Sequence, residues 1–145
     1  MMIHSMQHTE CTHFVATQRI ARLACCHDDR PYVMPMQYVY AEGRFFGFSL
    51  PGQKIDLMRL NPHVCLEIDH LTDLHHWTCV IVRGTFHELS DAEERIHGWG
   101  VVQKHNDWWE PGAFKPGPAE AISDRTHVFF AIEVDEMSGR HAIGD

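Results

Sequence analysis

Ser49, Gln53 and Lys54 stand around a turn, Ser49-Leu50-Pro51-Gly52-Gln53-Lys54, that runs into apolar positions at 55, 57, 58 and 60 and then into Asn61-Pro62. Proline disfavours the α region for the residue before it, so the pattern predicts a short helix that starts at the turn and stops at Asn61. The first turn of a helix carries N–H groups with no intrahelical partner and a partial positive charge. A hydroxyl and an ammonium placed there suit a phosphate. Lys54 reads either as a phosphate ligand or as a solvated helix residue, and Ser49 either as a phosphate hydroxyl or as a turn residue.

Other chemistry is less organised. Thirteen histidines are many for this length, with His4, His8 and His13 near Cys11, and His70 near His75 and His76. His4 and His8 would share a helix face, but HExxH is absent and no ligand geometry is imposed, so no metal is assigned. The cysteines, at 11, 25, 26, 65 and 79, are odd in number and lack a CxxC pair. They read as reduced thiols, mostly buried. No Ser-His-Asp order or GxSxG elbow is present, and no catalytic side chain is assigned.

Composition narrows the partners. A chain of 145 residues, 44% hydrophobic and 22% charged, fits one globular domain over residues 1–145. Twelve basic residues against twenty acidic ones give a formal charge of -8, which opposes nucleic acid and anionic membrane as partners. Apolar runs are too short to span a bilayer, and Met1 to Glu10 is polar and His-rich with no apolar signal core. The expected location is the cytoplasm.

The elements that must hold Lys54 in place are mostly strands. Pro31 to Tyr40, rich in Val, Tyr and Met, and Arg44 to Leu50, rich in Phe, flank the short Ala41-Glu42-Gly43 break and predict a hairpin. Arg19 to Cys26 precedes them across the turn His27–Pro31, which gives an antiparallel meander. An opening helix is expected over Thr9 to Thr17, with Cys11, Phe14 and Val15 as candidate buried positions. His63 to Asp69 alternates, with Val64, Leu66 and Ile68 on one face. Trp77 to Leu89 predicts a long strand with a bulge or bend at Gly84. Ser90 with Glu93 forms a capping-box pattern for a helix to about Gln103, which Gly98 and Gly100 weaken. Asn106 to Arg125, with Trp108 and Trp109, reads as a long loop or lid, Thr126 to Glu136 as the last strand, and SGRHAIGD as a tail. About six strands and a few short helices favour a mainly β fold, an antiparallel barrel.

The order RxxRLACC, RPYVMPMQYVY, GRFFGFSLPGQKIDLMRLNPHVCLEID, WTCVIVRGTFHEL and FFAIEVDEMSGR resembles the pyridoxamine 5'-phosphate oxidase-like flavin-binding split barrel, in its nitroimidazole-resistance branch. The likeness runs from about Glu10 to Arg140. Its most specific parts are KIDLxRxNPxVC at Lys54–Cys65 and WxxVxVRG at Trp77–Gly84. The resemblance implies a six-stranded antiparallel split β-barrel and a homodimer with FMN in a cleft at the interface. It implies that Met34, Pro35, Met36, Gln37 and Tyr38 run along the flavin ring, that Gly47, Phe48 and Ser49 face it, that Lys54 meets its phosphate, and that Cys79 touches it. Two departures stand out. The branch commonly has histidine where this chain has Phe48, which leaves that position to packing or flavin stacking. The oxidases themselves have arginine at Gln53 and an arginine-glutamine pair at Thr78 and Cys79, so oxidation of vitamin B6 is not expected.

The activity implied is an FMN-dependent oxidoreductase that reduces a small planar electrophile, nitroaromatic or quinone-like, with a nicotinamide donor. The alternative is a non-catalytic module holding FMN or haem for storage or sensing, since imidazole is a usual haem ligand. A deazaflavin is disfavoured by the lack of an added basic patch. Trp108 and Trp109 either close over a planar ligand or pack at the dimer seam.

Overall fold

Alternation along the chain decides the long strands, and a computed structural model, which describes residues 1–104 and 127–144, shows where they go. In chain order the elements are β1 (Met2–Ser5), α1 (His8–Thr17), β2 (Ile20–His27), β3 (Arg30–Gln37), β4 (Val39–Ala41), β5 (Arg44–Ser49), α2 (Gln53–Leu60), β6 (His63–Asp73), β7 (His76–Glu88), α3 (Ala92–Gln103) and β8 (Val128–Ile143). The strands form one antiparallel sheet in the order β3-β2-β6-β7-β8-β5-β4, with β1 paired to β8. Six long strands are those that the sequence predicts; β1 and β4, of four and three residues, add to them. The sheet curls around a core without closing, as in a split barrel.

That core takes Leu23, Leu66, Ile68, Val80, Val82 and Ile132 from the strands, Cys11 and Val15 from α1, and Ile55 and Met58 from α2. Each strand contributes alternate residues, since successive side chains point to opposite faces. A second, smaller core lies on the other side of β5 and β8, where Val101, Val102 and Leu89 cover Phe46, Phe129 and Ala131. The run from Phe129 to Ile132 is therefore buried at every residue, because both faces of β8 are covered there. Gly98 serves that contact: a Cβ on it would lie 2.7 Å from Leu89 Cδ1, so the glycine lets α3 sit close to the chain entering it.

Several expectations are corrected. The meander breaks at Tyr38: β3 pairs with β2, whereas only β4 pairs with β5. Tyr38 itself is fully buried and donates its hydroxyl to the carbonyl of Val15 at 2.7 Å, so the chain turns inward there instead of continuing as a strand. The segment read as a tail is the end of β8, which pairs with β7 as far as Ala142. Within it Gly139 is small because a Cβ would meet Cys11 Sγ at 2.8 Å and Met6 Sδ at 2.9 Å. The polar start contains β1, and just past it the Met6 N–H bonds the carbonyl of Gly139 at 2.9 Å. The cap of α3 is Asp91, not Ser90; its carboxylate accepts from the Glu94 N–H at 2.8 Å. The bulge expected at Gly84 is present, with the register shifting between Arg83 and Gly84. The lid with Trp108 and Trp109 lies outside the described residues.

Candidate functional site

Among the described residues the break at Tyr38 leaves two strand edges without a strand partner. β4 pairs with β5 only from Val39↔Phe46 to Ala41↔Arg44, so Gly47, Phe48 and Ser49 pair on one side alone, with Phe130, Phe129 and Val128 of β8. β3 ends the sheet, and Met34, Pro35, Met36 and Gln37 pair only with β2. Beyond Tyr38 these two edges approach each other across the split. Unpaired strand edges present backbone donors and acceptors, which suits a flat ligand with a hydrogen-bonding rim.

At the end of β5 the chain turns into α2. Its N-cap is Gly52, which offers no side-chain cap, and the first backbone bond runs from Asp56 N–H to Gly52 carbonyl at 3.1 Å. The N–H groups of residues 53 to 55 have no backbone acceptor among the described residues. Lys54 is half-buried beside them, makes no hydrogen bond or ion pair among the described residues, and burial pulls its ammonium below the usual lysine range. Helix α2 is fixed by Ile55 and Met58 in the core and by Arg59, which holds Glu88 of β7 through two bonds of 2.7 and 3.1 Å. An ammonium with no partner among the described residues, at the start of a helix, has the charge and the donors an anion would use. The Ser49 hydroxyl is used in the turn, donating to the carbonyl of Leu50 at 2.7 Å.

The side chains of β5 divide between the two cores. Gly47 faces the main core, where a Cβ would fall 2.3 Å from the ring of Phe130. Phe48 points the other way and stacks on His127, with ring centroids 5.4 Å apart and planes 20° from parallel, while tilting against Phe129 at 5.2 Å. Arg95 of α3, buried, donates to the carbonyl of His127 at 2.9 Å and lies over Phe129 at 5.3 Å. Neither His127 nor Arg95 stands out in the sequence; only the register of β5 on β8 brings them behind Phe48.

Cys79 is elsewhere. It lies on β7, three strands from β3, at roughly 14 Å by ordinary strand spacing. It donates its thiol to Glu67 Oε2 at 3.4 Å and sits opposite Asp69 on one side and Arg140 on the other. Burial, that hydrogen bond and the two carboxylate charges push its thiol up to about 12, so it is neutral. Burial, and a hydrogen bond that its protonated form donates to Asp69, likewise raise the carboxyl of Glu67. Among the described residues no helix covers the outer face of β2, β6 and β7, where these groups lie and where Ile20 and Ile81 are exposed. The fold thus brings together Met34–Gln37, Gly47–Ser49 and Lys54, turns Tyr38 into the core, and puts Cys79 on a separate surface.

Among the described residues no group of three or more His, Cys, Asp or Glu could hold a metal ion, and no helix is long and apolar enough to cross a membrane.

Residues 7–141 match the family model described as pyridoxamine 5'-phosphate oxidase. An uncharacterized protein of Rhizobium meliloti is 44% identical over 146 residues, covering 98% of this chain and 97% of its own. A solved structure described as a FAD-binding protein of Mesorhizobium loti is 38% identical with a TM-score of 0.78, and covers 98% of this chain and 99% of its own. A candidate 5-nitroimidazole antibiotic resistance protein of Bacteroides thetaiotaomicron has the same fold, with a TM-score of 0.73 at 18% identity, over 97% of this chain and 89% of its own.

Proposed function

Since the chain belongs to the pyridoxamine 5'-phosphate oxidase family over nearly its whole length, we propose that it binds a flavin nucleotide, FMN, and works as an oxidoreductase on a small planar electrophile. The observation that carries this reading is Lys54: a half-buried ammonium with no partner among the described residues, at an uncapped helix N-terminus that continues directly from an unpaired strand edge. Residues 53–55 and Lys54 take the phosphate. The edges of Met34–Gln37 and Gly47–Ser49 take the rim of the ring, and Phe48, backed by His127, holds its place beside it.

Cys79 belongs to the same reading only through a second copy of the chain. One protomer supplies the phosphate and ring edges, and the uncovered face bearing Cys79 closes over the flavin of its partner. Its exposed apolar residues, with Ile20 at 50% and Val33 at 65% exposure, suit such an interface. When bound, a flavin supplies hydride acceptance from a nicotinamide donor and electron transfer to the electrophile. The residues of this chain bind, orient and exclude water, and no catalytic side chain is required. The five unbridged cysteines fit a cytoplasmic protein, the location this reading includes.

The test is the absorption spectrum of the purified protein, with chromatography of the released cofactor. A flavin spectrum bleached by a nicotinamide donor and restored by a nitroaromatic or quinone supports the enzyme. A flavin that no donor bleaches makes the protein a storage or sensing module, FAD in place of FMN corrects the nucleotide, and a haem spectrum overturns the reading. Lys54→Ala is the local test. Losing a charge-assisted phosphate contact, about 1.5–3 kcal/mol, lowers flavin affinity roughly 10- to 100-fold. Unchanged affinity at low salt would remove Lys54 from the site.

A further inference from the structure

The outer face around Cys79 holds a cavity of about 550 Å³, lined by Trp77, Cys79, Ile81, Met137, Ser138 and Arg140 among others. That volume is in the range of small-molecule sites. In the β7–β8 pairing Arg140 is directly opposite Cys79, and Trp77, paired to Ala142, is its diagonal neighbour. Direct and diagonal cross-strand neighbours lie within reach of one another's long side chains. An indole and a guanidinium therefore share one patch of sheet.

The guanidinium is uncommitted. Arg22 pairs with Asp69 at 3.5 Å, Arg59 with Glu88 at 2.7 Å and Arg83 with Glu136 at 3.8 Å, whereas Arg140 makes no hydrogen bond or ion pair among the described residues. The carboxylates on the neighbouring strand are engaged: Asp69 by Arg22, and Glu67 by the thiol of Cys79. In a chain of formal charge -8, a guanidinium left without a carboxylate beside a cavity is a point of attraction for an anion. Its planar fork matches a carboxylate or sulfonate, and the indole offers a face for an aromatic ring.

From this we infer that the Trp77–Arg140 cavity binds a planar aromatic anion, a ring carrying one carboxylate or sulfonate, and that this is the substrate class of the oxidoreductase proposed above. The second half rests on that proposal; the binding half does not. Trp77 holds the ring, Arg140 the anionic group, and the protonated thiol of Cys79 lies between them without adding negative charge.

The experiment is calorimetric titration of the protein as purified with 4-nitrobenzoate and with its neutral methyl ester. The native protein is expected to bind the acid at least ten-fold more tightly than the ester. Arg140→Gln should bring that ratio close to one, and Arg140→Lys should restore part of it. Equal binding of acid and ester by the native protein, or an Arg140→Gln change that weakens both alike, overturns the inference. Protein purified without flavin that still shows the Arg140-dependent ratio overturns the flavin reading and leaves the anion site standing. Flavin-loaded protein that reduces the ester as well as the acid, with the same ratio for Arg140→Gln and native protein, overturns the assignment of substrate class.

Discussion

Gly47→Ala tests the packing that holds the β5 edge in place. A Cβ at this position would lie 2.3, 2.6 and 2.9 Å from three ring atoms of Phe130, where ordinary contact begins near 3.4 Å. Phe130 is fully buried, between Phe86 at 5.5 Å and the rest of the core, so its ring has no free space to enter. Overpacking a filled core costs about 1–3 kcal/mol, and a conflict with a ring on all three near atoms belongs at the upper end, about 2–3 kcal/mol. In urea, with a slope of about 1–3 kcal/mol/M for small proteins, the midpoint should fall by roughly 1 M or more. Gly100→Ala is the internal control. Nothing lies within 4 Å of its Cβ and it is inside α3, so the better helix propensity of alanine should stabilise by about 1 kcal/mol. Unfolding is followed by far-ultraviolet circular dichroism at one fixed protein concentration. A Gly47→Ala midpoint within about 0.2 M of the native one would refute the steric reasoning.

Two further predictions concern capping and charge. Asp91→Ala should cost about 1 kcal/mol through loss of the bond to the Glu94 N–H, while Asp91→Asn, which keeps an acceptor oxygen there, should cost little; thermal melts of the two variants check that Asp91 caps α3. Glu67 has a folded pKa above its unfolded one, so the unfolded state loses the proton first and native stability falls as pH rises from the ordinary glutamate range through the folded value. Glu67→Gln should therefore stabilise at pH 7 and match the native protein near pH 4, and a constant difference across that range in urea titrations would sink the argument.

The parts of the fold legible in sequence are those in which one face of a strand is buried and the other is not. Val64, Leu66 and Ile68 mark β6, and Gly84 marks the bulge, because each is a local pattern with a local cause. What the sequence hides depends on distant partners. β1 is four residues long and exists because the end of β8 offers it an edge; no period can show in so short a piece. The segment from Ser138 reads as a tail because its glycine and polar residues carry no strand pattern, yet Cys11 and Met6 occupy the space a side chain on Gly139 would take. The resemblance names Cys79 beside Lys54 in one list, but only the strand order separates them onto different surfaces. Arg95 in α3 could be taken for a solvated helix residue, since its acceptor, the His127 carbonyl, is 32 positions away.

The two ends of the sheet are consecutive in the chain, for β3 stops at Gln37 and β4 starts at Val39. Two Cα steps span no more than about 7 Å, so the opening between them cannot widen at Tyr38 however the rest of the sheet moves. It is a wedge with a sewn apex, and α2 sits at its far end, where Gln53 and Leu57 line a cavity together with Arg30, Pro31 and Tyr32. Any parting of the two edges must therefore grow with distance from Tyr38 and be greatest beside α2.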